Sequence, residues 1–302
     1  MDTNLKTVVV VCGPTAVGKT AFSIQLAKHY NTQILSADSR QCFKELNIGV
    51  AKPSVEELAK VHHYFINSHS VHEEVNAGVY EQYALHAVEE IFKQNNVAIC
   101  VGGTGLYIKA LCEGIDSIPQ TTAEIRLQLT EAYQAKGLAW LQSEVQQKDL
   151  AFWKVAEQQN PHRLLRALEV LQTSGKSITT FKTGALVSRP FKIIKLGLEL
   201  PRNILNERIN KRVDQMMADG LLEEVKMLVP SKHLNALQTV GYRELFDHLE
   251  GLQTLPQAID RIKINTRQYA KRQMTWFKKD ISINWFDAAE IDVESVLNRV
   301  GS

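Results

Sequence analysis

Gly13-Pro14-Thr15-Ala16-Val17-Gly18-Lys19-Thr20 places two glycines, a lysine and a threonine at the spacing G-x-x-x-x-G-K-[ST]. These residue types in this order suit one chemistry, the holding of a phosphate chain. Glycines let the main chain turn so that its N–H groups converge on an anion. The lysine reaches the bridging and terminal oxygens, and the hydroxyl that follows can ligate Mg²⁺. At average composition the four fixed positions coincide by chance in roughly one chain of this length in a hundred. An apolar, β-branched run (Thr7-Val8-Val9-Val10-Val11-Cys12) precedes the loop and reads as a buried strand. Ala21–Lys28 has the apolar spacing of a helix. Strand, glycine loop and helix together aim a helix N-terminus at the phosphate.

Other residues could act beside such a loop. Asp38 directly follows a short apolar run, Gln33–Ala37. It can serve as a general base or help hold Mg²⁺, or it can cap a helix, and capping and catalysis compete for the same lone pairs. Gly102-Gly103-Thr104-Gly105 lets backbone approach a ligand and leaves one hydroxyl available; Thr104 could equally be an N-cap. Arg163 and Arg166 share a helix face after Asn160-Pro161 and could meet phosphates or water. Arg208 and Arg212 lie four apart, placed to clamp a phosphate or to pair with Glu207, Asp214 or Glu223. Residues 261–279 hold seven Lys or Arg and no acid, with Tyr269, Trp276 and Phe277 interleaved. Cations with aromatics suit an RNA backbone and unstacked bases. His62 and His63 have no partner at metal-ligand spacing.

The elements that must position these residues alternate in the first 112 residues. Strands are expected at 7–12, 33–37 and 97–101, with a helix over 79–94. Such alternation implies a parallel sheet covered on both faces, with ligands at the carboxyl ends of its strands. The glycine loop, Asp38 and Gly102–Gly105 all fall at those ends. Strand character vanishes from about 116 to 185, where a helical insertion is expected. A strand near 191–200 rejoins the sheet. A helix opens at Pro201 and runs to about 228, helices continue to about 279, and a last short strand covers 281–286. The predicted fold is therefore α/β, a phosphate-loop NTPase-like parallel sheet core with a helical insertion domain. The core takes 1–115 and 190–302, its C-terminal part binding RNA, and the insertion takes 116–189.

With 302 residues, 44% of them hydrophobic, the chain can bury a full core, and no stretch has transmembrane length. The net charge of +2 argues neither for nor against nucleic acid. Cys12, Cys42, Cys100 and Cys112 are scattered, so reduced, buried thiols in a cytoplasmic protein are expected rather than a zinc site or disulfides.

In this order, a set of segments resembles the bacterial tRNA dimethylallyltransferases, also called tRNA isopentenyltransferases. They are residues 13–20, Ser-Ala-Asp-Ser-Arg-Gln at 36–41, Asn47-Ile48-Gly49 with Ala51-Lys52-Pro53, and Val101-Gly102-Gly103-Thr104-Gly105-Leu106-Tyr107. Further on come His162-Arg163-Leu164-Leu165-Arg166-Ala167-Leu168-Glu169, Val240-Gly241-Tyr242-Arg243, and Arg267-Gln268-Tyr269-Ala270-Lys271-Arg272-Gln273 followed by Trp276. The resemblance implies transfer of a dimethylallyl group from dimethylallyl diphosphate to N6 of adenine 37, beside the anticodon, in tRNAs reading codons that begin with U. It implies Mg²⁺ on Thr20 and a diphosphate held by Gly13, Pro14, Thr15, Ala16, Val17, Gly18, Lys19, Thr20 and Arg212. Asp38 corresponds to the general base, with Thr104 and Lys19 beside the reacting centre. The anticodon stem-loop is implied to meet Asp38, Ser39, Arg40, Gln41, Thr104, Arg126, His162, Arg163, Leu164, Leu165, Arg166, Gly241, Tyr242, Arg243, Lys271, Arg272, Gln273 and Trp276. A monomer with no membrane partner is expected. Val50 stands where the family usually has threonine, Phe43 where it often has tyrosine, and Arg40 at a variable position. Prenylation of a free adenine nucleotide, a nucleotide kinase and a non-catalytic RNA-binding protein are the competing readings. The helical insertion and the acid-free segment weigh against the first, and an intact Lys19, Thr20 and Asp38 weighs against the last.

Overall fold

In a computed structural model, residues 5–300 are described. Six strands run in chain order: β1 (Thr7–Cys12), β2 (Ile34–Ser36), β3 (His63–Tyr64), β4 (Val97–Gly102), β5 (Lys192–Glu199) and β6 (Ile283–Asp287). They form one sheet of order β3-β2-β4-β1-β5-β6, every pairing parallel. β1 lies between β4 and β5, with Val9 level with Ile99 and Ile194. Every residue of β1 is buried, as its unbroken apolar run requires of a strand covered on both faces. The two-residue β3 escapes sequence reading, because such a length carries no period.

The helices are α1 (Lys19–His29), α2 (Val55–Lys60), α3 (Ala77–Phe92), α4 (Gly105–Glu113), α5 (Ala123–Lys148), α6 (Leu150–Trp153), α7 (Pro161–Ser174), α8 (Ile178–Phe181), α9 (Arg202–Ala218), α10 (Leu221–Met227), α11 (Tyr242–Leu249), α12 (Leu255–Phe277) and α13 (Val293–Val300). The single helix expected from Pro201 to about 228 is two, because Asp219-Gly220 turns the chain with Gly220 at φ 99°. One side of the sheet packs Val9, Val11, Ile99 and Leu196 against Phe22, Leu26 and Ala27 of α1 and Leu205 and Ile209 of α9. On α3, Tyr80 stacks on Tyr107 of α4 and meets the Cys100 thiol. All four cysteines are free and buried.

The chain divides into two compact units. One joins the segments up to Glu113 and from Ser188 onward, and the other is Gly114–Val187. The second is wholly helical around its own core of Leu129, Leu141, Val145, Phe152, Leu164, Leu168 and Val170. Among the described residues no helix is long and apolar enough to cross a membrane.

The topology reverses between β1, whose chain continues to β2 on one side, and β4, whose chain continues to β5 on the other, and such a switch point opens a crevice at the strands' carboxyl ends. The turn after β2 is drawn down onto β4 there. The Ala37 N–H donates to Val101 O at 2.6 Å, and the Thr104 N–H donates to Ala37 O at 3.2 Å. A Cβ on Gly102 would sit 2.2 Å from the Ala37 carbonyl oxygen. Gly102→Ala must push this turn away, and the expected cost is about 1–3 kcal/mol of stability. Urea unfolding would read this as a lowered midpoint; an unchanged midpoint contradicts the packing described.

Candidate active site

The turn from Gly13 to Thr20 joins β1 to α1. Gly13 adopts φ 142° and Gly18 φ 108°, values that side chains resist. Gly18 is the N-cap of α1 and provides no side-chain cap, so the first-turn amides remain donors for an anion. Around them lies a cavity of about 320 Å³, lined by Gly18, Lys19, Thr20 and Ala21, by Val50, Ala51, Pro53 and Ile66, and by Asp38, Arg212 and Tyr269. Lys19 folds back so that Nζ donates to Pro14 O at 2.7 Å. Arg212 donates to Thr15 Oγ1 at 3.3 Å, and Arg208 to Val17 O at 3.4 Å. Both α9 arginines therefore lean on the loop, the clamp reading, while Asp214 pairs with Lys263. Burial, then the Arg212 charge, lowers the Lys19 ammonium to about 8, against the pull of Asp38. Burial also lowers Arg212.

Asp38 divides its two oxygens between the roles that sequence left open. Oδ1 accepts the N–H groups of Arg40 at 2.8 Å and Gln41 at 3.3 Å, closing the turn after β2. No protein donor among the described residues reaches Oδ2. The capping lone pairs and the free lone pairs thus sit on different atoms. Thr104 precedes α4, but its hydroxyl does not cap that helix. It accepts the Ser39 N–H at 3.1 Å and lies 3.4 Å from Ser39 Oγ, bound to the Asp38 turn. The Tyr269 hydroxyl also meets Thr104. Burial, then the Asp38 charge, pushes that phenol up to about 12, so it stays a neutral donor. Sequence reading took Tyr269 only as one aromatic in a basic run; its place beside Asp38 depends on the rotation of α12.

A larger cavity of about 770 Å³ opens on the other side of Asp38. Thr15, Asp38, Val50, Ala51, Arg212 and Tyr269 line both cavities, so the two meet at the carboxylate. Arg40, Arg243, Arg261 and Arg272 line only the larger one. The acid-free segment resolves into faces. Lys263 pairs with Asp214, Arg267 donates to Asn210 Oδ1, and Lys278 pairs with Glu199. Arg261, Lys271, Arg272 and Lys279 remain exposed, with Arg272 over the Tyr269 ring. Trp276 is 44% exposed and lies against Gly105.

Several residues read as RNA contacts face elsewhere. Gln273 is buried: its Oε1 accepts the Thr15 N–H and its Nε2 donates to Gly103 O, both at 2.9 Å, so it ties α12 to two site loops. Tyr242 is fully buried, its hydroxyl on Glu224, and Gly241 beside it is buried too. In the second unit, Leu164 points into that unit's own core and Leu165 packs against it. Arg166 is engaged by Glu169, Thr121 Oγ1 and Pro119 O. Arg126 lies 3.7 Å from Glu169, and Arg163 pairs with Glu157 on the surface. His162 is exposed. Most first-unit residues of the expected site line one or both cavities, whereas Gly13, Pro14, Val17, Thr104, Tyr242, Lys271 and Trp276 line neither.

The family model described as IPP transferase matches residues 41–280. The chain belongs to that family. A tRNA dimethylallyltransferase of Cytophaga hutchinsonii is 46% identical over 286 residues, covering 95% of this chain and 94% of the relative. One from Christiangramia forsetii is 47% identical over 280 residues, covering 93% of each. The tRNA isopentenylpyrophosphate transferase of Bacillus halodurans superposes with a TM-score of 0.70 at 32% identity, over 98% of this chain and 94% of that one. A eukaryotic dimethylallyltransferase acting on tRNA gives 0.77 at 26% identity, over 98% and 77%. Family membership covers both halves of the core and the helical segment between them.

The lowered Lys19 makes anion binding depend on pH. Below about pH 8 the ammonium is charged; above it the site loses a cation. Pyrophosphate affinity, measured by calorimetry, is expected to weaken as pH rises through about 8 relative to Lys19→Met, with proton uptake on binding near that pH. A difference between the two proteins that stays constant across this range would remove Lys19 from the anion site.

Proposed function

We propose that this family member transfers the dimethylallyl group of dimethylallyl diphosphate to N6 of adenine 37, beside the anticodon. The tRNAs are those reading codons that begin with U, the product is N6-isopentenyladenosine, and the reaction takes place in the cytoplasm. One observation carries the reading: Asp38 stands where an anion-binding cavity meets a larger cation-rimmed one, with Oδ2 unbonded. The names of the relatives support the substrate pair.

The chemistry rests on what each wall offers. The N6 amine is a weak nucleophile, because its lone pair is delocalised into the ring. Asp38 Oδ2 accepts its proton as the N6–C1 bond forms and the C1–oxygen bond breaks. The electron pair of the broken bond leaves on diphosphate, which the loop amides, Lys19 and Arg212 stabilise. Lys19 must release Pro14 O to do so. Val50, Ala51, Pro53 and Ile66 give the prenyl chain an apolar wall. Thr104 and Tyr269 hold the Asp38 turn. Among the described residues there is no cluster of three His, Cys, Asp or Glu able to cage a metal. The Thr20 hydroxyl, which lines the smaller cavity, would hold Mg²⁺, an ion usually bound by one or two side chains plus phosphate oxygens. When bound, Mg²⁺ neutralises charge on the departing diphosphate. Adenine must leave the anticodon-loop stack to reach Asp38, at a cost of about a few kcal/mol recovered from RNA contacts. Arg243, Arg261 and Arg272 are exposed cations that line the larger cavity, and exposed Lys271 is next to Arg272 in the chain.

Mass analysis of nucleosides from tRNA incubated with protein, dimethylallyl diphosphate and Mg²⁺ should show isopentenyladenosine at position 37 of such tRNAs. Unmodified tRNA, or prenylated free adenosine monophosphate in its place, would overturn the proposal. Asp38→Asn should lower kcat by roughly 10²–10⁴-fold while an anticodon stem-loop still binds within about twofold of wild type. Lost stem-loop affinity at an unchanged kcat would make Asp38 a holding residue only.

A further inference from the structure

Glu224 sits in the middle of the short helix α10, is almost fully buried, and is not among the residues that line either cavity. It is nonetheless saturated with donors. Oε2 accepts the Ile48 N–H at 2.7 Å, and Oε1 accepts the Gly49 N–H at 3.1 Å and the Tyr242 hydroxyl at 2.5 Å. All three partners donate to the carboxylate, and such charge-assisted bonds are the strong kind. Burial, then the Glu224 charge, drives the Tyr242 phenol far above its usual range, so this proton stays in place at any working pH. Gly49 rests directly on the Tyr242 ring, where a Cβ would come within 2.5 Å of a ring carbon. Three segments distant in sequence are thereby fixed to one carboxylate: residues 48–49, α10 and the first turn of α11.

Val50 and Ala51 come directly after this fixed point, and both line the two cavities that meet at Asp38. Gln41 donates from Nε2 to Val50 O at 3.3 Å and Ala51 O at 3.0 Å, which joins this wall back to the Asp38 turn. Lys52 ties the far end of the segment to Phe43 O at 2.6 Å. The wall has no strand or helix of its own, and Ala51 takes φ 49°. Its position therefore depends on these bonds, and the Glu224 carboxylate supplies the deepest of them.

We propose that Glu224 and Tyr242 are positioning residues. Acting as one latch, they hold Ile48 and Gly49 so that Val50 and Ala51 form the partition between diphosphate cavity and adenine cavity. Neither touches substrate. The inference rests on the prenyl-transfer reading and goes beyond it, since it removes Tyr242 from the RNA contacts that resemblance suggested. A partition displaced by about 1 Å can cost up to 10²-fold in rate, because donor carbon and N6 no longer meet in line.

Tyr242→Phe keeps the ring and removes one donor; Glu224→Gln turns an NH₂ toward either the Ile48 N–H or the Gly49 N–H. Both are measured beside wild type for prenyl transfer, for stem-loop affinity and for hydrogen exchange of residues 46–52. The latch predicts that Tyr242→Phe lowers kcat about tenfold and speeds exchange of the Ile48 and Gly49 amides. Stem-loop affinity should hold, and the double variant should be no worse than Glu224→Gln alone. Normal kcat with wild-type exchange in Tyr242→Phe overturns the latch. So does weakened stem-loop affinity with unchanged exchange, which returns Tyr242 to RNA binding. Should Glu224→Gln fail to fold, Tyr242→Phe decides alone. Absence of transfer by wild type strikes the function itself, whereas the exchange measurement still tests the latch.

Discussion

Two half-buried cations and one carboxylate line the smaller cavity. Lys19 and Arg212 lie close enough that the arginine's charge burdens the lysine, and partial burial lowers both. Asp38 is a single negative charge, and it already spends one oxygen on its own turn. Two cations and the loop amides face that carboxylate across the cavity, in a setting where screening is weak. The proposed diphosphate would bring negative charge to them. The loop glycines, the position of α1 at the switch point of the sheet and the lean of α9 over the loop all maintain this arrangement. A leaving group whose charge grows as its bond breaks gains most from such a site, because the cations are fixed before the reaction begins.

The same cations bear on the proposed base. Asp38 lines the cavity that holds Lys19 and Arg212, where in the proposed reaction it meets a nitrogen that is becoming cationic through bond formation. Asp38 reaches that point because β2 ends at Ser36 and the turn is anchored to β4 and Thr104. Gln273 connects the anion loop with Gly103 from the buried face of α12, and the exposed face of that helix carries Lys271 and Arg272. The glycine loop, the Asp38 turn and the exposed cations are thus built on shared elements.

The glycine loop between β1 and α1 was legible because its residue types are fixed by spacing along eight consecutive positions. Strands β1, β4 and β5 were legible because a buried parallel strand needs a continuous apolar run. The helix break at Gly220 was missed, since Leu221 and Leu222 continue the apolar pattern beyond a single turn. Resemblance carried positions but not orientations. Leu164, Tyr242 and Gln273 stand in segments expected to grip RNA, yet each turns inward. The acid-free run at 261–279 looked like one basic surface because its compensating groups, Asp214, Asn210 and Glu199, belong to other elements. Glu224 gave no local signal at all. Its backbone partners lie 176 and 175 residues away.

The account turns on adenine and diphosphate meeting across Asp38. A crystal structure with a non-hydrolysable dimethylallyl diphosphate analogue and an anticodon stem-loop tests that directly. The predicted result has the diphosphate on the amides of residues 13–20 with Lys19 moved from Pro14 O onto phosphate oxygen, and adenine N6 within hydrogen-bond reach of Asp38 Oδ2. An adenine bound away from Asp38, or a diphosphate bound outside the glycine loop, would contradict it.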